Sequence, residues 1–548
     1  MSQRAERSAD NVFGALLRRR STLIAVAALT ALGFAIRVAN FDQSLIGDEL
    51  STYWILDGNG LGDVLSSVRS DDEITPPLYF VLAWLTMKIG PDPEWVRLPS
   101  LIAGTATIPL VYLLGARTIG SRAGLVGAAV FALSPFVIYY ATEARSYALM
   151  LLLLTASTLA LLAAVRDRRA RWWAVYGICS TGAMLSHYTA LFPLAAQLVW
   201  ALWFHRDAIR PLVLANIAAL ALFSPWIPGF IADNNSPTTE ILAALSPFTA
   251  DFVWQSVRNW AIGFPYVQLD VVPGDTATVM LVAAFLIAAV ALAARGVLWL
   301  RDHRPPIRDA LRRIPPGVAL IALLALAAPL GEALYSALGS DILGARNLNS
   351  SWPGLAVGLG AIVSAAGPLL SVACTAAMLS GFAIGAAKTL EADTAKLDAK
   401  TAAEVIEERS EPGDVVVDTY VLTPVPLTPL DVHLPQTHPE YRLGLPASDE
   451  PFTVFDPVPP PNHLIREALR SANGRPIFLV APVSSSKLVD PGSRAAEDRQ
   501  EQPQALGSRF LDEARPRFRI TYATRFDGIA PLGLFQFEKR ERSQSPDR

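Results

Sequence analysis

Ile46-Gly47-Asp48-Glu49-Leu50 sets two adjacent carboxylates just after the first long apolar run of the chain, and the membrane face they occupy decides how the rest is read. The surrounding sequence is built for lipid. Of 548 residues, 52% are hydrophobic and 17% charged, mean hydropathy is +0.35, and the apolar residues fall in long unbroken runs that a soluble core does not need. A polytopic α-helical membrane protein is expected. The net charge of −3 gives nucleic acid no electrostatic handle. Cys179 and Cys374 lie far apart in apolar segments, which suits small core packing and not a disulfide framework or metal cluster.

The first apolar run, Ser21 to Ile36, follows Arg18-Arg19-Arg20 and ends in Arg37-Val38-Ala39-Asn40 without a small-residue cleavage site. It reads as an uncleaved anchor, with 1–20 a cytoplasmic tail. Further spans are expected at Leu98 to Ala116, Ala123 to Tyr140, Tyr147 to Val165, Trp172 to Ser186, Tyr188 to Phe204, Leu212 to Pro228, Thr276 to Leu298, Gly317 to Leu338, Trp352 to Ala366 and Pro368 to Ala387. That makes about eleven within a transmembrane domain of 21–388. Pro76 to Ile89, about 14 residues, is too short to cross a hydrocarbon layer roughly 30 Å thick, so it is assigned to the surface of a first outer loop, 41–97. This choice puts Arg117/Arg122, Arg166/Arg168/Arg169/Arg171, Arg206/Arg210 and the cluster from Arg295 to Arg313 on the cytoplasmic side, as the positive-inside rule requires.

An odd number of spans sends the tail outside. Residues 389–548 read as an extracytoplasmic α/β domain, with a helix at Thr401 to Arg409, a turn at Glu411-Pro412-Gly413-Asp414 and strands at Val415 to Val421, Pro476 to Val480 and Phe518 to Ala523. Asp456 to Pro461 and Ser484 to Gln504 read as exposed loops, and the last few residues as disordered.

On this topology one face collects polar residues from distant parts of the chain. They are Asp42, Asp48, Glu49 and Asp71-Asp72-Glu73, then Glu143 and Arg145, then His187, then Arg346, Asn347 and Asn349. Each alone has a plain reading as a solvated loop charge, and Asp71-Asp72-Glu73 stays with it. Arg145 and Arg346 could equally anchor helix ends at headgroups, His187 could be a satisfied interfacial histidine, and Tyr139, Tyr140 and Tyr147 belt aromatics. Charges gathered at the hydrocarbon boundary cost several kcal/mol unless paired or wet, so the cluster points to function more than its members do.

Four stretches resemble the membrane-embedded glycosyltransferases of the GT-C superfamily, in particular the branch of protein O-mannosyltransferases and the lipid A aminoarabinose transferase. They are Phe41 to Glu49, Pro76-Pro77-Leu78-Tyr79, Arg97-Leu98-Pro99-Ser100 and Tyr139 to Tyr147, with Arg346-Asn347-Leu348 a weaker late match. The family often has His, or His-Lys, at the Pro-Pro element, near the donor phosphate. Thr75 precedes it here, so that contact must come from elsewhere. The tail resembles no named domain.

The resemblance implies a polyprenyl-phosphate sugar donor in membrane lipid and a protein or envelope glycan acceptor, at the outer face of a plasma (inner) membrane. Transfer needs an acceptor hydroxyl relieved of its proton, a task for a fixed carboxylate. Asp48 is the candidate base, with Glu49 orienting the acceptor or, together with Glu143, shaping the field. Arg145 and Arg346 are the candidates for the leaving phosphate, whose oxygens a guanidinium matches in a fork. Glu143, Tyr147 and His187 are candidate substrate contacts. No cofactor is called for outright, and a divalent cation is possible. A divalent cation shared by Asp48 and Glu143 would have an incomplete shell. The expectation is an inverting transferase moving a hexose such as mannose. The rival is a transporter or flippase of a lipid-linked precursor, which predicts paired repeats and matching broken helices that this sequence does not display. A third reading is an inactive relative that anchors its outer domain as a binding module.

Overall fold

A computed structural model describes residues 2–70, 73–236, 247–303, 314–339, 342–419, 425–435, 437–444, 460–483 and 494–540, with backbone alone for 2–19 and 494–503. The described chain is a helical bundle followed by a mixed sheet. Seven helical segments among these residues are long and apolar enough to cross a membrane: Arg20–Ala39, Pro93–Thr118, Tyr147–Asp167, Arg206–Asn235, Asp270–Asp302, Pro316–Ala337 and Pro368–Lys388.

The expected eleven is corrected to seven of full length, because four of the apolar runs form shorter helices. The run from Ala123 to Tyr140 is cut at Ser134-Pro135 into Ser121–Leu133 and Pro135–Tyr140. Ser134 caps the second piece by accepting from the Val137 N–H, and Pro135, which lacks an N–H, suits a first turn and not a helix interior. Ala170–Met184, Leu191–Phe204 and Trp352–Ala365 have 15, 14 and 14 residues. At 1.5 Å per residue each reaches only about 20 Å. Leu78–Thr86 is a nine-residue helix, short of membrane-spanning length. The Tyr79 hydroxyl, donating to Val96 O at 2.8 Å, ties it to the start of the helix Leu98–Thr118.

Small residues let the helices touch. A Cβ on Gly124 would meet Tyr112 O at 2.5 Å, and one on Gly360 would meet Ala123 O at 2.4 Å, so Ser121–Leu133 lies backbone to backbone against both neighbours.

Beyond Lys388 the chain builds a five-stranded sheet of β1 (Val415–Asp418), β2 (Glu440–Arg442), β3 (Ile477–Pro482), β4 (Phe518–Phe526) and β5 (Leu532–Lys539), in the order β2-β1-β3-β5-β4. β1 runs parallel to β2 and β3, while β5 is antiparallel to β3 and β4. Alternate residues serve opposite faces. Val415, Val417, Ile477 and Leu479 pack with Leu469 and Phe510, whereas Val416, Phe478 and Val480 pack with Ile406 of the helix Ala399–Arg409. The three expected strands and the expected helix are present. Part of Ser484 to Gln504 is corrected: Arg494–Ala514 is helical and not loop. The reading of 456–459, 484–493 and 541–548 lies outside the described residues.

Candidate functional site

Three connections meet at one end of the bundle: 41–49, 141–146 and 342–351. Gly47, at φ +54 and ψ −127, turns the chain into the helix Asp48–Leu56, so both carboxylates enter its first turn, where the helix dipole favours them. The Glu143-Ala144-Arg145 corner lies directly against this turn. Ala144 N–H donates to Glu49 Oε1 at 2.9 Å, and Thr52 Oγ1 donates to Ala144 O at 2.9 Å.

Glu49 is fully buried and takes the larger share of the cations. Arg97 grips it in a fork, Nε to Oε1 at 2.6 Å and Nη2 to Oε2 at 2.7 Å, and Lys396 Nζ donates to Oε2 at 2.6 Å. Burial alone would raise this carboxyl, but Arg97 and Lys396 outweigh it and hold Glu49 at about 2. The remaining N–H groups of Arg97 are spent on the carbonyls of Phe41, Gln43 and Ser44, which shapes the loop carrying Asp48. These contacts pin Glu49 in place.

Glu143 is also buried, yet its Oε2 has no partner and its Oε1 lies at the limit of hydrogen bonding to the Tyr139 hydroxyl, 3.5 Å. Burial pushes its carboxyl up to about 8, against the pull of Lys396. Its neutral form is favoured accordingly.

Asp48 lies open by contrast. Its Oδ2 accepts from Arg346 Nη1 at 2.9 Å, and the two side chains are 34% and 26% exposed. Arg145 is engaged elsewhere. Its guanidinium forks onto Glu73 at 2.6 and 3.0 Å and donates to Thr75 Oγ1 at 2.9 Å. The loop-charge reading of Glu73 is therefore corrected, since it is 2% exposed and anchors Arg145. Asp71 and Asp72 lie outside the described residues. Thr75 supports this guanidinium.

His187 stacks against Tyr147 with ring centroids 5.0 Å apart. Burial, with Arg145 and Arg346 nearby, lowers it to about 3, so the ring is neutral. Its Nδ1 accepts from the Thr189 N–H at 3.2 Å, which leaves the proton on Nε2 as a donor. Tyr139, Tyr140 and Tyr147 are buried and pack edge to face in succession, ring centroids 5.2 and 4.7 Å apart, so they form a wall of the site and not a belt at the lipid boundary. Tyr266 extends this wall, 6.1 Å from Tyr139, at a strained φ of +63.

Among the described residues no group of three or more His, Cys, Asp and Glu could hold a metal ion. Of the pair assigned to a shared divalent ion, Asp48 gives one oxygen to Arg346, and two carboxylates alone make an incomplete shell. Sequence reasoning missed Lys396, Tyr266 and the role of Arg97. Arg97 carried a signal, its place in a motif. Lys396, in Thr394-Ala395-Lys396-Leu397, reads as linker.

A family model described as dolichyl-phosphate-mannose-protein mannosyltransferase matches residues 75–228, a minority of the chain that carries Arg97, Glu143, Arg145, Tyr147 and His187. No curated protein matches. Among solved structures, ArnT from Cupriavidus metallidurans in the apo state is similar with a TM-score of 0.49 and 14% identity, over 95% of this chain and 98% of that one. The same protein bound to undecaprenyl phosphate gives 0.47 and 13%, over 94% and 97%. Archaeal oligosaccharyltransferase AglB from Archaeoglobus fulgidus, in complex with an inhibitory peptide and a dolichol-phosphate, gives 0.45 and 12%, over 84% and 69%.

Proposed function

We propose that this chain is a GT-C-type membrane glycosyltransferase that moves a sugar, such as mannose, from a polyprenyl-phosphate carrier to a protein or envelope glycan at the outer membrane face. The observation that carries the reading is the open Asp48–Arg346 pair, a carboxylate and a guanidinium 2.9 Å apart at a loop-helix boundary, 298 residues apart in sequence. The mannosyltransferase family match over 75–228 supports the same class.

In this reading the phosphate of the donor takes the fork of Arg346 and frees Asp48. Asp48 then removes the proton of the acceptor hydroxyl as its oxygen bonds to C1. The C1–O bond to phosphate breaks with its electron pair leaving on the polyprenyl phosphate, and attack from the opposite face inverts the anomeric centre. His187 Nε2–H then serves as a hydrogen-bond donor to the bound sugar phosphate, and protonated Glu143 can donate to a sugar hydroxyl without adding negative charge beside Asp48. Arg145 acts through Glu73 and Thr75, holding the 73–79 segment against the site.

Replacing Asp48 with Asn is expected to leave the fold intact and reduce transfer by roughly 10² to 10⁴, the usual contribution of a general base. Proteoliposomes supplied with polyprenyl-phosphate sugar measure this directly. Donor movement across the bilayer without consumption would instead identify a carrier.

A further inference from the structure

The segment between the last membrane-length helix and the sheet enters the site. Lys396, 5% exposed, donates from Nζ to Glu49 Oε2 at 2.6 Å and lies 5.2 Å over the ring of Tyr139. Its own N–H donates to Gln43 Oε1 at 3.1 Å. Four residues later Lys400 bridges Asp42 at 2.5 Å and Glu94 at 3.2 Å, and its N–H donates to Ser44 Oγ at 3.0 Å. The loop that presents Asp48 is therefore gripped from two sides, by Arg97 from the bundle and by this segment from the sheet.

The two lysines differ in kind. Lys400 is 30% exposed and clamps the rim, where ion pairs contribute little. Lys396 is enclosed. Glu49 accepts from both Arg97 and Lys396, so the carboxylate beside Asp48 is held from the bundle and from the sheet at once. Removing Lys396 leaves Glu49 on Arg97 alone and severs its tie to the sheet.

We propose that Lys396 is a positioning residue of the transfer reaction: through Glu49 and Gln43 it ties the sheet to the Asp48 loop, so the region beyond Lys388 completes the site. This rests on the glycosyltransferase reading above.

The test compares Lys396→Met, Lys396→Gln, Lys396→Arg and Lys400→Met in the full-length protein, assayed for kcat and for KM of the polyprenyl-phosphate sugar. Gln can still donate to Glu49, which protects the fold if Met does not. Both neutral variants are expected to lose at least about tenfold in kcat with donor KM nearly unchanged, Lys396→Arg to recover most of it, and Lys400→Met to lose less than about threefold. A wild-type kcat in Lys396→Gln, an equal loss in Lys400→Met, or no recovery in Lys396→Arg overturns the proposal. If the wild-type protein transfers no polyprenyl-phosphate sugar, the functional reading is what fails. Hydrogen exchange over 41–50 then decides the present inference alone: faster exchange in Lys396→Gln supports it, and unchanged exchange overturns it.

Discussion

Glu143 keeps a carboxyl buried with one oxygen unpartnered, and that arrangement has a sign. Its folded-state value of about 8 lies above the ordinary 4.5, so the stability associated with its neutral form is complete below 4.5 and is lost as pH rises toward 8. Glu143→Gln cannot ionise. Its Tm should exceed that of the wild type by a margin that grows from pH 5 to pH 8, and a pH-independent margin would contradict the assignment. Glu49 has the opposite sign. Held at about 2, it contributes stability above 4.5 that is lost as pH falls toward 2. Arg97→Met strips it of its forked partner and should destabilise by about 3–5 kcal/mol, the cost of breaking a buried pair. Thermal unfolding of the purified protein in detergent reads both.

At the scale of elements, the closely packed glycines carry the fold. Gly358 and Gly360 lie on the same helix, but only the second is pressed against a neighbour's backbone: a Cβ would meet Ala123 O at 2.4 Å, whereas at Gly358 the nearest atom is Ile321 Cγ2 at 3.8 Å. Gly360→Val is expected to cost about 1–3 kcal/mol through overpacking, and Gly358→Val much less. Comparable unfolding temperatures for the two variants would show that Ser121–Leu133 does not pack as described. The short helices matter for the same region. Pro135–Tyr140 ends just before the Glu143 corner, so the Ser134-Pro135 break delivers that corner to the Asp48 loop.

At the scale of the whole molecule, the proposal requires the site and the sheet to face outward. With Cys179 and Cys374 replaced, Glu408→Cys in the exposed part of Ala399–Arg409 should be labelled in intact cells by a membrane-impermeant maleimide. Arg169→Cys, exposed at the turn between Tyr147–Asp167 and Ala170–Met184, should be labelled only after lysis. The reverse pattern would turn the molecule over and remove the outer-face reaction.

Composition and the apolar runs were enough to specify a helical membrane protein with a mixed α/β tail, because lipid leaves long apolar segments little choice but helix. The value of Asp48 and Arg346 as candidates was also legible, since charges at a membrane boundary are costly enough to be conspicuous. Which charges pair was decided only in three dimensions. Lys396 looks like an ordinary linker charge along the chain, and nothing local shows that Glu49 meets Arg97 or that Arg145 pairs with Glu73. Their partners lie tens to hundreds of residues away, and a buried ion pair depends on distances of about 3 Å that helix packing sets and no local pattern encodes.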